Sequence, residues 1–238
     1  MASPGELVKV AAWALLMPEV TVGSYYRALR EAALVSKLGR GRSAAEVTAL
    51  DAARLLIAIM SAPLVRDSAE CVSLYGRFRS AAMPDDIASA GLDPDLAALE
   101  AAHAFEDALA YLLENISDDP DRVRQPGERF QTTAAPPWVA KIECNQLAAW
   151  LTIGEHEFGY YHPADRRLPE NLREMSRRSE LRRLAMAKWE GLGTTRYVKW
   201  KTLAIIGAYV RGETSSYVPR GQLGAKMVMP DEFETDED

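Results

Sequence analysis

A basic, glycine-containing segment between two helical patterns places the strongest constraint on the fold of this chain. Cations alternate with glycines in it, in the order Lys37, Gly39, Arg40, Gly41 and Arg42. Because glycine adopts the backbone angles that a tight reversal needs, we expect the three cations at an exposed tip between two helices. A tip of this kind is suited to contact with phosphate groups.

The residues before this segment have the period of an amphipathic helix. Their apolar positions recur at three- and four-residue spacing, so one helix face can be buried. These positions are Val22, Tyr25, Tyr26, Leu29, Ala32 and Ala33. Thr21 is the expected N-cap of this helix. Ser24, Arg27 and Arg30 fall on the opposite face, where they can enter a groove of a nucleic-acid duplex.

Two more helices complete a unit over residues 5–63. The apolar stripe of Glu6–Met17 ends at Pro18 and predicts a supporting helix. Thr48 and Asp51 have the spacing of a capping box, which predicts a helix that runs on toward residue 63. A helix, a basic turn and a second helix in this order are typical of a winged helix-turn-helix DNA-binding domain.

The charge distribution is polarised along the chain. A net charge of −6 argues against a nonspecific coat on nucleic acid, since such proteins carry an excess of cations. Between Tyr25 and Ala45, however, five cations stand against one carboxylate, whereas Arg66 to Asp121 holds three cations and thirteen carboxylates. This polarity would direct the amino-terminal unit toward DNA.

The second unit, residues 67–117, is expected to form a helical hairpin with a loop over Met83–Pro94. His103 falls within the apolar pattern of the second helix, so we expect a hydrogen-bonded core histidine rather than a ligand or a catalytic group. Cys71 and Cys144 lack metal-ligand spacing and are expected as reduced, buried thiols.

The third unit, residues 128–230, changes to the two-residue period of strands, which predicts a small antiparallel sheet with helices. The expected strands, in chain order, are Trp138–Cys144, Leu147–Ile153, His156–Tyr160 and a hairpin over Lys188–Trp200. Lys201–Val210 is the expected closing helix. The acidic end, residues 231–238, is expected to stay disordered. The whole chain is therefore predicted to be an α+β protein.

Three runs of the amino-terminal unit, Tyr25–Val35, Gly39–Arg42 and Thr48–Leu55, together carry a family pattern. They resemble the winged helix-turn-helix of mercury-resistance regulators, excisionases and phage small terminase subunits. In that family a tyrosine-rich helix ends at a Gly-Leu-Leu-like corner, and a basic wing and a capped helix follow. Ala33 stands at the corner position where the family usually has glycine. The resemblance implies DNA binding without metal or drug sensing, since no ligand cysteines follow.

The expected DNA contacts come from the exposed helix face and the basic segment. The full set is Ser24, Tyr25, Arg27, Arg30, Lys37, Arg40 and Arg42. Ser24, Arg27 or Arg30 would contact base edges, whereas the cations of the basic segment would bind phosphates or enter a minor groove. The alternatives are a solvated face for the helix arginines and a core position for Tyr25. Residues 177–183 are also basic, and form either a second nucleic-acid contact or a solvent-facing helix.

The sequence offers few groups for catalysis or metal binding. It has three histidines and lacks nucleophile, phosphate-loop and zinc-protease motifs. His156 and His162 lie near acidic residues, but an alternating strand and a loop would splay them apart. We therefore expect no enzyme activity, no metal and no cofactor. The uncharged run Val10–Met17 is too short to span a bilayer, so a cytoplasmic protein without a membrane partner is expected.

These observations predict a sequence-specific DNA-binding transcription regulator. The whole chain resembles proteins of alphaproteobacterial phages and mobile elements, which implies that setting. The protein would bind double-stranded DNA as a homodimer and recruit a protein partner of the transcription machinery. Two alternatives stay open: a phage DNA-packaging recognition subunit of the small terminase type, assembled as a ring, and an interaction module that binds no DNA.

Overall fold

Helices and one antiparallel sheet make up the structure, a computed structural model that describes residues 3–36, 46–81, 103–115, 140–143, 147–153, 156–163 and 195–213. The helices are α1 (Pro4–Leu15), α2 (Glu19–Glu31), α3 (Ala49–Ser61), α4 (Ser68–Tyr75), α5 (Phe105–Asn115) and α6 (Trp200–Val210). The strands are β1 (Arg79–Ser80), β2 (Ala140–Glu143), β3 (Ala148–Ile153), β4 (His156–Tyr161) and β5 (Thr195–Val198). This mixture of helices with a small antiparallel sheet agrees with the expected α+β class.

Helix α3 lies at the centre of the structure. It contacts α2, α4, α5 and α6, and it also contacts β2 and β5 of the sheet. Its residues are buried except for Leu50 and Arg54, as expected of a helix that is apolar on nearly all sides. Elements that are far apart in the chain therefore pack on one helix.

Local sequence signals set the ends of the first three helices. The Ser3 side chain accepts a hydrogen bond from the Glu6 backbone N–H (3.3 Å) at the start of α1, and the expected helix there is confirmed. The Thr48 capping box at the start of α3 is also confirmed. The expectation of a Thr21 cap is wrong: the N-cap residue of α2 is Pro18, three residues earlier, whose fixed φ of −58° already suits a helix start.

The strand order in the sheet is β1-β4-β3-β2-β5, and all neighbouring strands are antiparallel. The predicted meander is confirmed as β2, β3 and β4. Strand β5 extends it beside β2, and the described part of the predicted Lys188–Trp200 hairpin is limited to this strand and its flanks. Helix α6 confirms the expected closing helix. Ala140, Ile142 and Val198 are buried on strands that contact α3.

The hydrophobic core draws on all three units that the sequence predicts. Helix α1 packs against α6, where the Tyr209 hydroxyl accepts from the Ser3 N–H (2.7 Å) and donates to the Ser3 carbonyl (3.0 Å). Within residues 67–117, α4 and α5 both pack on α3, and β1 pairs with β4. The second unit thus contributes a strand as well as helices.

The buried histidine of the second unit is confirmed as a core residue. The His103 side chain is 8% exposed, and its Nε2 atom lies 2.8 Å from the Tyr160 hydroxyl. Burial raises the pKa of Tyr160, which keeps this hydroxyl protonated as a partner for the imidazole. Cys71 is buried and forms no disulfide bond, as expected. Cys144 and the acidic residues 231–238 lie outside the described residues.

Candidate nucleic-acid interface

The outer face of α2 carries two arginines, Arg27 and Arg30. Arg27 is exposed and Arg30 is partly exposed. Within the described residues, neither side chain forms an ion pair or a hydrogen bond. The Ser24 hydroxyl lies on the same side of the helix and donates to the Val20 carbonyl (2.8 Å). These positions agree with the side of α2 that the helical period assigned to solvent.

The inner face of α2 is held by two tyrosines. Tyr25 is 7% exposed and Tyr26 is 5% exposed, and both belong to the hydrophobic core. Tyr25 was expected among the DNA contacts, with a core position as its alternative. Because its ring is buried, Tyr25 packs α2 against the hydrophobic core and is not one of the proposed DNA contacts.

A sharp corner follows α2. Ala33 has a left-handed backbone, with φ of 57°. The Ala33 N–H bonds to the Arg30 carbonyl (3.1 Å), and the Leu34 N–H bonds to the Leu29 carbonyl (2.9 Å). This pair of bonds is a Schellman motif, which ends a helix and turns the chain away from its axis. The left-handed residue occupies the position where the resembled family usually has glycine.

One buried carboxylate joins the two sides of the basic segment. The Ser36 N–H donates to Oδ1 of Asp51 (2.9 Å), and the Thr48 N–H donates to Oδ2 of the same residue (3.0 Å). Asp51 is 3% exposed. We call Ser36, Thr48 and Asp51 the neck. Since the Asp51 side chain binds both backbone N–H groups, Ser36 and Thr48 lie close together at the two ends of the basic segment.

Arg54, one helical turn after Asp51, binds the backbone of the corner that follows α2. Its Nη1 atom donates to the Leu34 carbonyl (2.7 Å), and its Nε atom donates to Oε2 of Glu106 on α5 (2.7 Å). Glu106 lies closely over Gly76, where an added Cβ atom would be 3.0 Å from Oε2 and 2.7 Å from the Val72 carbonyl. Gly76 therefore leaves room for the carboxylate that orients Arg54.

The side chain of Tyr26 on α2 is buried, and the Asp51 carboxylate of the neck influences its ionisation. Burial and the Asp51 carboxylate raise the pKa of Tyr26 to about 12, and Arg30 opposes this rise. The Tyr26 hydroxyl is neutral at physiological pH and has no hydrogen-bond partner among the described residues. Asp51 and Arg30 therefore act on the pKa of Tyr26 in opposite directions.

Sequence reasoning found some of these residues and missed others. Lys37, Arg40 and Arg42, the expected contacts of the basic segment, lie outside the described residues, as does the basic stretch 177–183. Asp51 was predicted only as a capping residue, and its bond to Ser36 adds a second role. Arg54 was missed, although a charged residue within an otherwise apolar helix is a signal that its side chain has a specific partner.

Other kinds of site find no support in the part of the chain that the structure describes. It contains no group of three or more His, Cys, Asp or Glu side chains that could hold a metal ion. No helix in it is both long and apolar enough to cross a bilayer. His162 is buried, with its ring 6.1 Å from the ring of Phe78. Of the three acidic residues near His156 and His162 in the sequence, Glu157 lies 3.8 Å from Nζ of Lys141, and those at positions 155 and 165 lie outside the described residues.

Comparison of the chain with models of protein families, with curated proteins and with solved structures finds no match. The site must therefore be interpreted from its own geometry.

Proposed function

We propose that this protein is a sequence-specific DNA-binding transcription regulator of a phage or mobile element. The observation that carries the proposal is the pair of arginines on α2, Arg27 and Arg30, whose side chains form no ion pair or hydrogen bond among the described residues. Partly or fully exposed cations that form no ion pair among the described residues are available to phosphates and to the acceptor edge of guanine. An anionic duplex is the partner that best fits this charge.

In this proposal residues 5–63 form a winged helix-turn-helix. Helix α2 enters the major groove, the Schellman corner at Ala33 turns the chain, and the neck presents the basic segment as the wing. Arg27 and Arg30 contact bases, while Lys37, Arg40 and Arg42 bind phosphates or a minor groove. The ordered corner and the buried Asp51 support this arrangement, because both reduce the conformational freedom that binding would otherwise have to remove.

The protein is proposed to act on double-stranded DNA as a homodimer, in the cytoplasm, and to recruit a protein of the transcription machinery. The excess of carboxylates over residues 66–121 supports the recruiting role, since negative charge is repelled from the duplex.

Selection of bound fragments from random and genomic DNA, together with a mass measurement of the free protein, tests the proposal. We expect a short common motif and a dimer. A motif together with a ring of eight or more subunits would favour the packaging alternative, because closed rings are the assemblies of small terminase subunits. If no fragment is enriched even at low salt, the protein does not act through DNA.

The basic segment has its own test. Replacing both Arg40 and Arg42 by Ala should weaken binding to every sequence alike and flatten the dependence of log K on log salt by roughly one to two units, at about 0.9 per phosphate contact. Titrations at several salt concentrations measure this slope. An unchanged slope would remove the basic segment from the interface.

A further inference from the structure

The first turn of α2 exposes an apolar side chain that the expected contact set does not include. Val20 is 82% exposed, more than Leu16, Leu64 or Tyr197, the other exposed large hydrophobic residues of the described chain. A β-branched residue is also a poor choice for a solvated helix position, because the helix restricts its side chain. These features suit Val20 to contact with another molecule.

Val20 shares one strip of the helix surface with Ser24 and with Arg27, one of the proposed base contacts. Ser24 and Arg27 follow it by four and seven residues, which places all three within about 60° around the helix axis. Along the axis, Val20 and Arg27 are separated by about 10 Å, or about three base-pair steps. A duplex that meets Arg27 along this strip would also meet Val20.

Ser24 cannot supply a hydrogen-bond donor at this place without losing an existing bond. Its hydroxyl proton is committed to the Val20 carbonyl, at 2.8 Å. The strip thus presents two branched methyl groups at one end and a guanidinium at the other. In the major groove the apolar feature of a base edge is the C5-methyl group of thymine, and apolar side chains contact it.

We infer that Val20 is a specificity-determining residue that packs against the C5-methyl group of a thymine in the major groove, about three base pairs from the base that Arg27 contacts. The inference rests on the proposed DNA-binding function and extends it from charge to base identity. A second protein copy is the competing occupant of this surface. Leu16, which is 74% exposed in the turn before α2, would belong to such a protein contact.

The test uses the selected duplex in a series in which each thymine in turn is replaced by uracil, which lacks only the methyl group. Binding of the full chain is measured by fluorescence anisotropy. One position should weaken wild-type binding by about fourfold, the effect of removing one buried methyl group. The same replacement should have no effect on Val20→Ala, whose side chain no longer reaches the methyl group.

Leu64→Ala is the matched control, since Leu64 is a half-exposed apolar residue outside α2. It should keep the wild-type response to uracil. If wild type and Val20→Ala respond alike at every position, Val20 does not contact a thymine methyl group, although the proposed function stands. If Val20→Ala and Leu16→Ala both shift the mass of the free protein and neither alters the uracil response, a protein partner covers the surface. Absence of any DNA binding would instead overturn the proposed function itself.

Discussion

The cations of the sheet and those of α2 have opposite surroundings. Nζ of Lys141 on β2 lies 3.1 Å from a carboxylate oxygen of Glu143, 3.8 Å from one of Glu157 and 4.4 Å from the ring centre of Trp150. Arg27 on α2 has no such partner within the described residues. The sheet uses its positive charge inside the fold, whereas α2 leaves its charge available to another molecule.

A second sheet cation makes the contrast clearer. Nη1 of Arg196 on β5 donates to the carbonyls of Ile59 and Ala62, each at 3.0 Å, and so fastens the sheet to the end of α3. The carbonyl groups at a helix end have no partner within the helix, so this arginine satisfies two of them. Arg196 therefore has a structural role, whereas Arg27 is proposed to bind DNA. The following predictions test that difference.

The largest loss of stability is expected from Asp51→Ala. The change removes a buried carboxylate that accepts two backbone hydrogen bonds and should lower the free energy of unfolding by about 3 kcal/mol. Urea denaturation followed by circular dichroism measures the loss. The control Thr48→Ala removes the cap but leaves the carboxylate and should cost about 1 kcal/mol. Equal losses in the two variants would mean that Asp51 is a capping residue only.

The contrast between arginines predicts the next largest effect. Arg196→Ala should lower the free energy of unfolding by about 2 kcal/mol, since it leaves two carbonyls at the end of α3 without their charged donor. Arg27→Ala should change it by less than about 0.5 kcal/mol, as is usual for an exposed position. Urea denaturation followed by circular dichroism measures the free energy of unfolding of both variants. A comparable loss in both variants would show that Arg27 has a structural role.

The smallest effect concerns the corner before the basic segment. Ala33→Gly should raise the free energy of unfolding by about 1 kcal/mol, because glycine adopts a left-handed φ without the penalty that a Cβ atom brings. Gly212→Ala is the converse control: Gly212 has φ of 74° after α6, and its replacement should lower stability by a similar amount. A destabilising Ala33→Gly would mean that the alanine methyl group contributes packing at the corner.

Local patterns predicted much of the fold. The capping spacing of Thr48 and Asp51, the alternation of β2 to β4 and the apolar setting of His103 depend on residues near one another in the chain. The central position of α3 did not follow, because it depends on helices and strands brought together from the whole chain. Strand β1 has only two residues, too few for an alternating pattern.

In the candidate site, too, local sequence predicted some residues, whereas contacts between distant residues could not be predicted. The helical period identified the exposed face of α2, including Arg27 and Arg30, from the chain itself. The bonds of Arg54 to Leu34 and Glu106 join residues 20 and 52 positions away, and no spacing rule connects them. Val20 was missed because an apolar residue in the first turn fits a core pattern as well as an exposed one.

The most direct test of the account is the affinity of the selected duplex for Arg27→Ala/Arg30→Ala, measured by fluorescence anisotropy beside the wild type and Arg77→Ala. Arg77 is exposed and lies outside α2, so its variant controls for loss of one positive charge. We expect the double variant to fold as stably as the wild type and to bind at least about tenfold more weakly, since each base contact contributes about 1 to 3 kcal/mol. Arg77→Ala should bind like the wild type. A double variant with wild-type affinity would contradict the account.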